Sequence, residues 1–359
     1  MKKHHSKKKI LVIAACILLF LVCIWWAFSV IMYNSFFNKR YESYEPLMLD
    51  VNDFAGLQRT KYEFPSDQGQ MLTGYLYSTG SEAHGILILA HGLGGGHNSY
   101  MDCVNYFAQH GYDVFAYDAT GSDESEGEGV GGFPQGVVDL DYAISFVEQS
   151  GNFPDLPIGL FGHSWGAYSA CSVLTYHPEV KAVIACSGCN QSSDIVEYAG
   201  KEMSGSIIYT MMPFIKLHER AKYGKYATNT SMDGFEASAA SVMIVQSSDD
   251  QVVPSCYGYD LYFDRYQGDS KFRFLLFEDR GHDSIFIDPT DTYKEEFNEA
   301  FYKWRDALGY DYQAEDNKNR FNADKADYIH QHLDRARWIN RLDEALFAQF
   351  VDFYDQNMQ

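Results

Sequence analysis

Apolar residues along this chain fall into three kinds of run. The first is a single uncharged stretch of 23 residues, 10–32. The second is a series of short runs at 60–65, 71–78, 85–90, 113–118, 157–162, 181–187, 241–247 and 272–278. Several of these are continuously apolar instead of alternating, the mark of strands covered on both faces. The third kind recurs at three- to four-residue steps over 98–110, 134–149, 165–177 and 256–267. Within 134–149, Val137, Leu140, Ile144 and Val147 make one stripe, the signature of a helix buried along one side. Short apolar runs alternating with amphipathic stretches predict an α/β fold, a mostly parallel, doubly wound sheet of eight strands.

Two segments exceed that alternation. Residues 189–240 lie between two strands and carry an apolar patch at 207–215, which predicts an inserted lid or cap. Beyond 282, helical patterns near 291–307 and 325–357 flank a polar loop at 315–320. Residues 311–359 are expected to form a C-terminal helical extension. Residues 33–58 read as an aromatic-rich stalk leading into a domain at 59–310.

The uncharged run changes the picture most. At ~1.5 Å per residue it reaches ~35 Å, enough for a ~30 Å hydrocarbon core. Residues 1–9 form a basic tail with five lysines, and Trp25 and Trp26 lie towards the far end of the run. Positive charge held inside places the N-terminus in the cytoplasm and everything after about residue 33 outside, in a single-pass protein of the cell membrane. A cleaved signal has a shorter apolar core and a small-x-small site, whereas 28–30 reads Phe-Ser-Val. A lipoprotein signal ending at Cys16 would have only six apolar residues before it and an apolar chain after it. A retained anchor is the expectation, with a cleaved signal as its alternative.

Charge narrows the function. The chain has 28 Lys+Arg against 49 Asp+Glu, a net charge of −21, and its first 40 residues hold seven of the bases and no acid. The rest of the chain is strongly acidic and repels phosphate backbones, which excludes a general nucleic-acid binder. At 46% hydrophobic residues the chain is too apolar for disorder. Of seven cysteines, Cys16 and Cys23 lie in the uncharged run, leaving Cys103, Cys171, Cys186, Cys189 and Cys256. An odd number outside is no disulfide framework. Cys186 and Cys189 have C-x-x-C spacing, but they close a strand instead of opening a helix, and no second pair completes a zinc site. They read as small core-filling thiols.

The motif with chemistry is Gly162-His163-Ser164-Trp165-Gly166, placed between a strand and a helical pattern. This is G-x-S-x-G in its strand–turn–helix context, where a tight turn lifts the serine hydroxyl clear of the sheet. A serine needs a base, and the base a carboxylate. Strand 241–247 runs into Ser248-Asp249-Asp250, and strand 272–278 is followed by Gly281-His282. Both loops lie at the C-terminal edge of a parallel sheet, where ligands meet such folds. After strand 85–90 comes His91-Gly92-Leu93-Gly94-Gly95-Gly96. The N–H groups of Leu93 and Trp165 are the predicted oxyanion donors. Candidates for substrate contact are His91 and Gly92 from that loop and Met211, Met212 and Phe214 from the apolar patch, whose segment 203–215 either lines a pocket or packs onto the sheet.

These motifs resemble the α/β-hydrolases, in particular the monoacylglycerol-lipase and serine-aminopeptidase-like branch and its membrane-anchored bacterial members. H-G-x-G matches 91–94, the nucleophile elbow 162–166, D-x-x-V-P 250–254 and G-H 281–282. The resemblance implies Ser164, Asp250 and His282 as the catalytic triad, selecting Asp250 over Asp249, and spans roughly 58–310. The branch's D-x-R-G-x-G-x-S-x-G loop departs here at 118–127, with Thr120 for Arg and Asp123 for the second Gly. Asp123, Glu124, Glu126 and Glu128 crowd that loop, but their spacing matches no calcium site. Neither a metal nor a cofactor is expected.

A serine nucleophile argues against dehalogenase and epoxide-hydrolase chemistry, which use Asp, and leaves acyl transfer to water. A carboxylic ester is the first-choice small-molecule substrate. Thioesters, small peptides and acyl transfer to an alcohol or amine use the same machinery and stay open. A non-catalytic surface binding module is the rival of a different kind. Nothing in the sequence specifies an oligomeric state.

Overall fold

The computed structural model describes residues 2–339 and 341–358. All eight anticipated strands form: β1 (Gln58–Pro65), β2 (Met71–Ser78), β3 (Ile86–Ala90), β4 (Asp113–Tyr117), β5 (Ile158–His163), β6 (Ala182–Cys186), β7 (Ser241–Ser247) and β8 (Phe272–Phe277). They make one sheet in the order β1-β2-β4-β3-β5-β6-β7-β8. β1 and β2 are antiparallel, β2 meets β4 antiparallel, and every later pairing is parallel.

Before the sheet runs α1 (Lys2–Phe37). The connections carry α2 (Met101–Gln109), α3 (Gln135–Gln149), α4 (Trp165–Ser172), α5 (Ser192–Ser204), α6 (Ile208–Tyr223), α7 (Ser231–Ala237) and α8 (Tyr259–Tyr266). After β8 come α9 (Tyr293–Asp306), α10 (Lys318–His332), α11 (Arg335–Trp338) and α12 (Glu344–Asn357). Alternation along the central strands feeds two cores. Ile86, Ile88 and Ala90 join one with α3, α4, α7 and α8. Leu87 and Leu89 join the other with α2 and α12. Period-two side chains on a strand covered from both sides produce this double burial.

The C-terminal helical segment packs onto the sheet: Phe347, Phe350 and Tyr354 of α12 are wholly buried, and the Tyr354 hydroxyl donates to the Leu160 carbonyl of β5 at 2.6 Å. The stretch 325–357 is not one helix. Asp334 and Asp343 cap α11 and α12 by accepting from the Arg337 and Leu346 amides, and each cap starts a new helix. Helix α10 begins at Lys318, inside the expected polar loop. The 33–58 stretch packs on the domain too. Tyr33 and Phe37 enter the first core and Leu49, Phe54 and Leu57 the second, because their apolar side chains find burial on the domain.

Helix α1 is long and apolar enough to cross a membrane. Ile10, Leu18, Phe20 and Ile31 are all more than half exposed, so the protein covers little of this stretch. Its last turns are different. Tyr33 donates to the buried Glu219 of α6 at 2.6 Å, and Ser192 donates to the same carboxylate oxygen at 2.8 Å. Beyond α1, Arg40 donates to the carbonyls of Asp123, Ser125 and Gly127, so a guanidinium reaches the 118–127 loop from outside it.

Removing residues 344–359 should abolish cooperative melting, since it uncovers a whole face of the sheet. Tyr354→Phe should cost roughly 1–3 kcal/mol, the loss of one buried hydrogen bond. Thermal denaturation of both variants checks this; a truncated chain that still melts sharply at the wild-type temperature would remove α12 from the core.

Candidate active site

The site is built around one strained residue. Ser164 has φ +56° and ψ −117°, a conformation that costs a non-glycine residue about 1–3 kcal/mol. Its N–H donates to the Cys186 carbonyl at 2.8 Å, which ties the turn to the neighbouring strand. Both flanking glycines are required by contact. A Cβ on Gly162 would lie 2.4 Å from the Gly166 carbonyl oxygen, and one on Gly166 would lie 1.9 Å from that of Ala90. The turn between β5 and α4 therefore admits no side chain at either position.

Three loops at the C-terminal edge converge on this serine. His282 places Nε2 2.8 Å from Ser164 Oγ and Nδ1 2.7 Å from Asp250 Oδ2. With the serine hydroxyl donating to Nε2, the imidazole hydrogen sits on Nδ1 and is held by the carboxylate. The other Asp250 oxygen accepts from the Val252 and Val253 amides at 2.8 and 2.9 Å. The Asp250 side chain is fully buried and that of His282 nearly so. Asp249 faces elsewhere: its Oδ1 accepts from Ser247 Oγ at 2.6 Å and from the Gly281 amide at 2.8 Å. Those bonds hold its carboxyl below the ordinary range, and they brace the loop that carries His282.

The chain beyond the histidine braces it as well. Arg280 donates to Asp343, the cap of α12, at 2.7 Å, with both side chains largely buried. Asp343 in turn donates its amide to the Phe286 carbonyl.

An apolar cavity of about 580 Å³ opens over Ser164, with Gly92, Leu93, Trp165 and His282 in its lining. Trp165 opens α4, so its amide is among the first helical N–H groups, which have no partner within the helix. Helices α5 and α6 roof the cavity through Ile195, Met203, Ile208 and Met211. Of the five substrate-contact candidates, Gly92 and Met211 line it. His91 turns away; its Nε2 accepts from the Ala119 amide, and burial lowers its basicity. Met212 packs into the first core, and Phe214 lies off the cavity, because the inward stripe of α6 runs through Ile208, Met211, Ile215 and Glu219.

Sequence reasoning missed a second histidine. His163 Nε2 lies 3.1 Å from the His282 carbonyl, and its Nδ1 lies 2.8 Å from the Tyr100 hydroxyl, which accepts from the Gly92 amide. One chain of hydrogen bonds thus joins the glycine-rich loop to the His282 loop. Burial, and next the nearby His282 ring, bring the His163 pKa down to about 4. Its place inside the elbow motif was the available signal. Also missed were Met32, Tyr33, Phe36 and Phe37 of α1, which line the cavity. Tyr33, Phe36 and Phe37 continue a helical i, i+3, i+4 spacing past the uncharged run, and that periodicity was legible.

Cys103, Cys171, Cys186 and Cys189 are buried and free, and burial raises each thiol's pKa. In the acidic loop, Asp123 accepts from Ser43, Glu124 from Lys61 and Tyr75, and Glu126 from the Met71 amide.

A family profile described as serine aminopeptidase, S33, matches residues 81–232. No curated protein matches the chain. Two crystal forms of an esterase from Pyrococcus furiosus align with TM-scores of 0.52 and 0.53 at 16% and 14% identity, covering 71% and 74% of this chain and 93% and 96% of theirs. An α/β hydrolase from a Penicillium species aligns at 17% identity and a TM-score of 0.45, covering 69% of this chain and 97% of its own.

The depressed His163 pKa predicts an acid-side loss of stability. An unfolded chain protonates this imidazole near pH 6.5, whereas the folded site keeps it neutral down to about 4. The stabilisation is complete above about pH 6.5 and disappears as pH falls towards 4, on the order of 3 kcal/mol in all. His163→Gln should lose less stability than wild type between pH 7 and 4.5. Denaturant titrations at the two pH values measure this; equal losses would contradict it.

Proposed function

We propose that the chain is a member of the α/β-hydrolase superfamily, a serine hydrolase cleaving carboxylic esters through an acyl-enzyme; the profile match over 81–232 and the esterase-like fold support this reading. The observation that carries the reading is the unbroken Ser164–His282–Asp250 relay, at 2.8 and 2.7 Å, on the floor of an apolar cavity. Ser164 Oγ attacks the ester carbonyl as its proton passes to His282 Nε2. Asp250 holds the Nδ1–H and stabilises the imidazolium. The Leu93 and Trp165 amides take the oxyanion. The tetrahedral species collapses as His282 returns the proton to the leaving alcohol. Water then repeats the sequence on the acyl-enzyme and releases the acid. The apolar lining favours an acyl chain over a charged peptide. An intact relay also speaks against a merely binding role, which would not need the strain stored at Ser164.

On this reading residues 10–32 are a retained anchor, with the basic tail cytoplasmic and the catalytic domain outside the cell membrane. Cleavage near residue 33 would remove the Tyr33 hydroxyl from Glu219, whose carboxyl is almost fully buried and is pushed up in pKa by burial. Leaving such a group half-paired is costly, which favours retention.

Ser164→Ala should abolish covalent labelling by a fluorophosphonate with the melting temperature preserved; undiminished labelling would refute the nucleophile. With a soluble ester, Asp250→Asn should lower kcat by up to ~10⁴, as a wrong tautomer does, while Asp249→Asn should cost within about tenfold. The reverse order of kcat values would move the acid to Asp249.

Topology is tested separately. Protease added to intact cells should remove the domain and spare the N-terminal tail. A domain that is cut only after lysis would reverse the orientation, and a product starting near residue 30–40 in the medium would replace the anchor with a cleaved signal.

A further inference from the structure

The wall of the cavity nearest the membrane is made by the anchor itself. Met32, Tyr33, Phe36 and Phe37 of α1 line the same space as Ser164 and His282. Counting ~20 residues for a ~30 Å hydrocarbon core from Ile10 puts its outer boundary near residue 29 or 30. The lining residues of α1 therefore begin within a turn of that boundary, and the last lies only ~10 Å beyond it.

The cap sits at the same level. Trp25 Nε1, inside the boundary on this count, donates to the Thr210 carbonyl of α6 at 3.3 Å. Indoles collect at membrane–water interfaces, so this bond fixes the first turn of α6 at interfacial depth. Around that turn, Met203 is 71% exposed, Ile207 45% and Tyr209 47%. Ile207 and Tyr209 flank the Thr210 contact with α1, and all three are apolar side chains left outside the core, which water penalises and lipid would not. Met203 belongs at once to this exposed apolar set and to the lining of the cavity that holds Ser164.

We infer that the cavity takes the acyl chain of an ester lipid entering sideways from the bilayer, between the end of α1 and the α5–α6 cap, with residues 32–37 of the anchor forming part of the acyl-binding wall. The inference rests on Ser164 being the nucleophile, and it narrows the substrate to a membrane-resident ester. Water hydrolyses the acyl–oxygen bond. The fatty acid and the freed alcohol leave with the two protons and one oxygen that water supplied, and no other reactant is consumed.

The test uses the full chain in vesicles of a diether phosphatidylcholine, which the enzyme cannot hydrolyse. A fluorogenic oleoyl ester is dissolved either in the same vesicles or in separate ones, and a water-soluble butyryl ester of the same fluorophore serves as reference. The oleoyl ester should turn over at least about tenfold faster in the same bilayer, through its higher effective concentration. Equal rates from both vesicle populations would overturn sideways entry. Met32→Trp and Met203→Trp overfill the path, and each should lower the oleoyl-to-butyryl rate ratio about tenfold, with folding verified by fluorophosphonate labelling of Ser164. An unchanged ratio in both variants would overturn the anchor's part in the wall. Butyryl turnover without any oleoyl turnover would overturn this inference alone. Absence of both turnover and Ser164 labelling in the wild-type chain would overturn the serine reading and this inference together.

Discussion

The geometry of this molecule depends on how closely β5 and α4 approach each other at Ser164. A serine at φ +56° is unfavourable by itself and persists only because its surroundings over-determine it. Here the Gly162 and Gly166 positions have no room for a Cβ, and the Ser164 amide is fixed to Cys186. Shortening that crossing puts the hydroxyl above the sheet edge and aims the first amides of α4 at the same point. Everything else at the site is a loop that must reach this one fixed atom.

Reaching it demands rigidity from parts of the chain remote in sequence. The His282 loop is held on one side by Asp249, through Ser247 and Gly281, and on the other by Arg280 to Asp343. Its backbone is also held from below by His163. Asp249 and Asp250 are neighbours with opposite duties because the turn after β7, closed by the Asp250 amide on the Ser247 carbonyl, points their side chains to different partners. One carboxylate orients the imidazole; the other orients the loop that presents it. The C-terminal helix thus acts twice, covering one face of the sheet and supplying, in its cap, the partner of Arg280.

These dependencies divide what was legible in the sequence from what was not. The central strands were readable because short continuous apolar runs bounded by turn residues suit strands covered on both faces. The serine, the histidine and the paired aspartates were readable because each follows a strand end. Packing partners distant in sequence were not. Tyr354 caps a β5 carbonyl, Tyr33 meets Glu219 across 186 residues, and Tyr100 reaches His163; no local spacing encodes such pairs. His91, Met212 and Phe214 fail as substrate contacts for a related reason. Sequence placed them in the right segments, but one helical position or one side-chain turn decides whether a residue meets the cavity or the core.

Charge gives the proposed anchor a purpose beyond tethering. Outside the first 40 residues only 21 of the 28 bases remain to face all 49 acids, so the domain is repelled by anionic headgroups, and that repulsion fades only over about 8–10 Å in salt. An acidic domain of this kind does not settle on a bilayer through electrostatics. Its contact must come from apolar side chains and covalent attachment. Met203, Ile207 and Tyr209 would each gain on the order of 1 kcal/mol from partial burial in lipid, too little to hold a free domain against such a charge. Attached to a spanning α1, as proposed, the same edge needs no affinity of its own, because Trp25 and Tyr33 already bond the cap to the helix. On the proposed reading the strong interaction, a spanning helix, sets the position, and the weak one, an apolar rim, leaves the cavity mouth facing hydrocarbon instead of water.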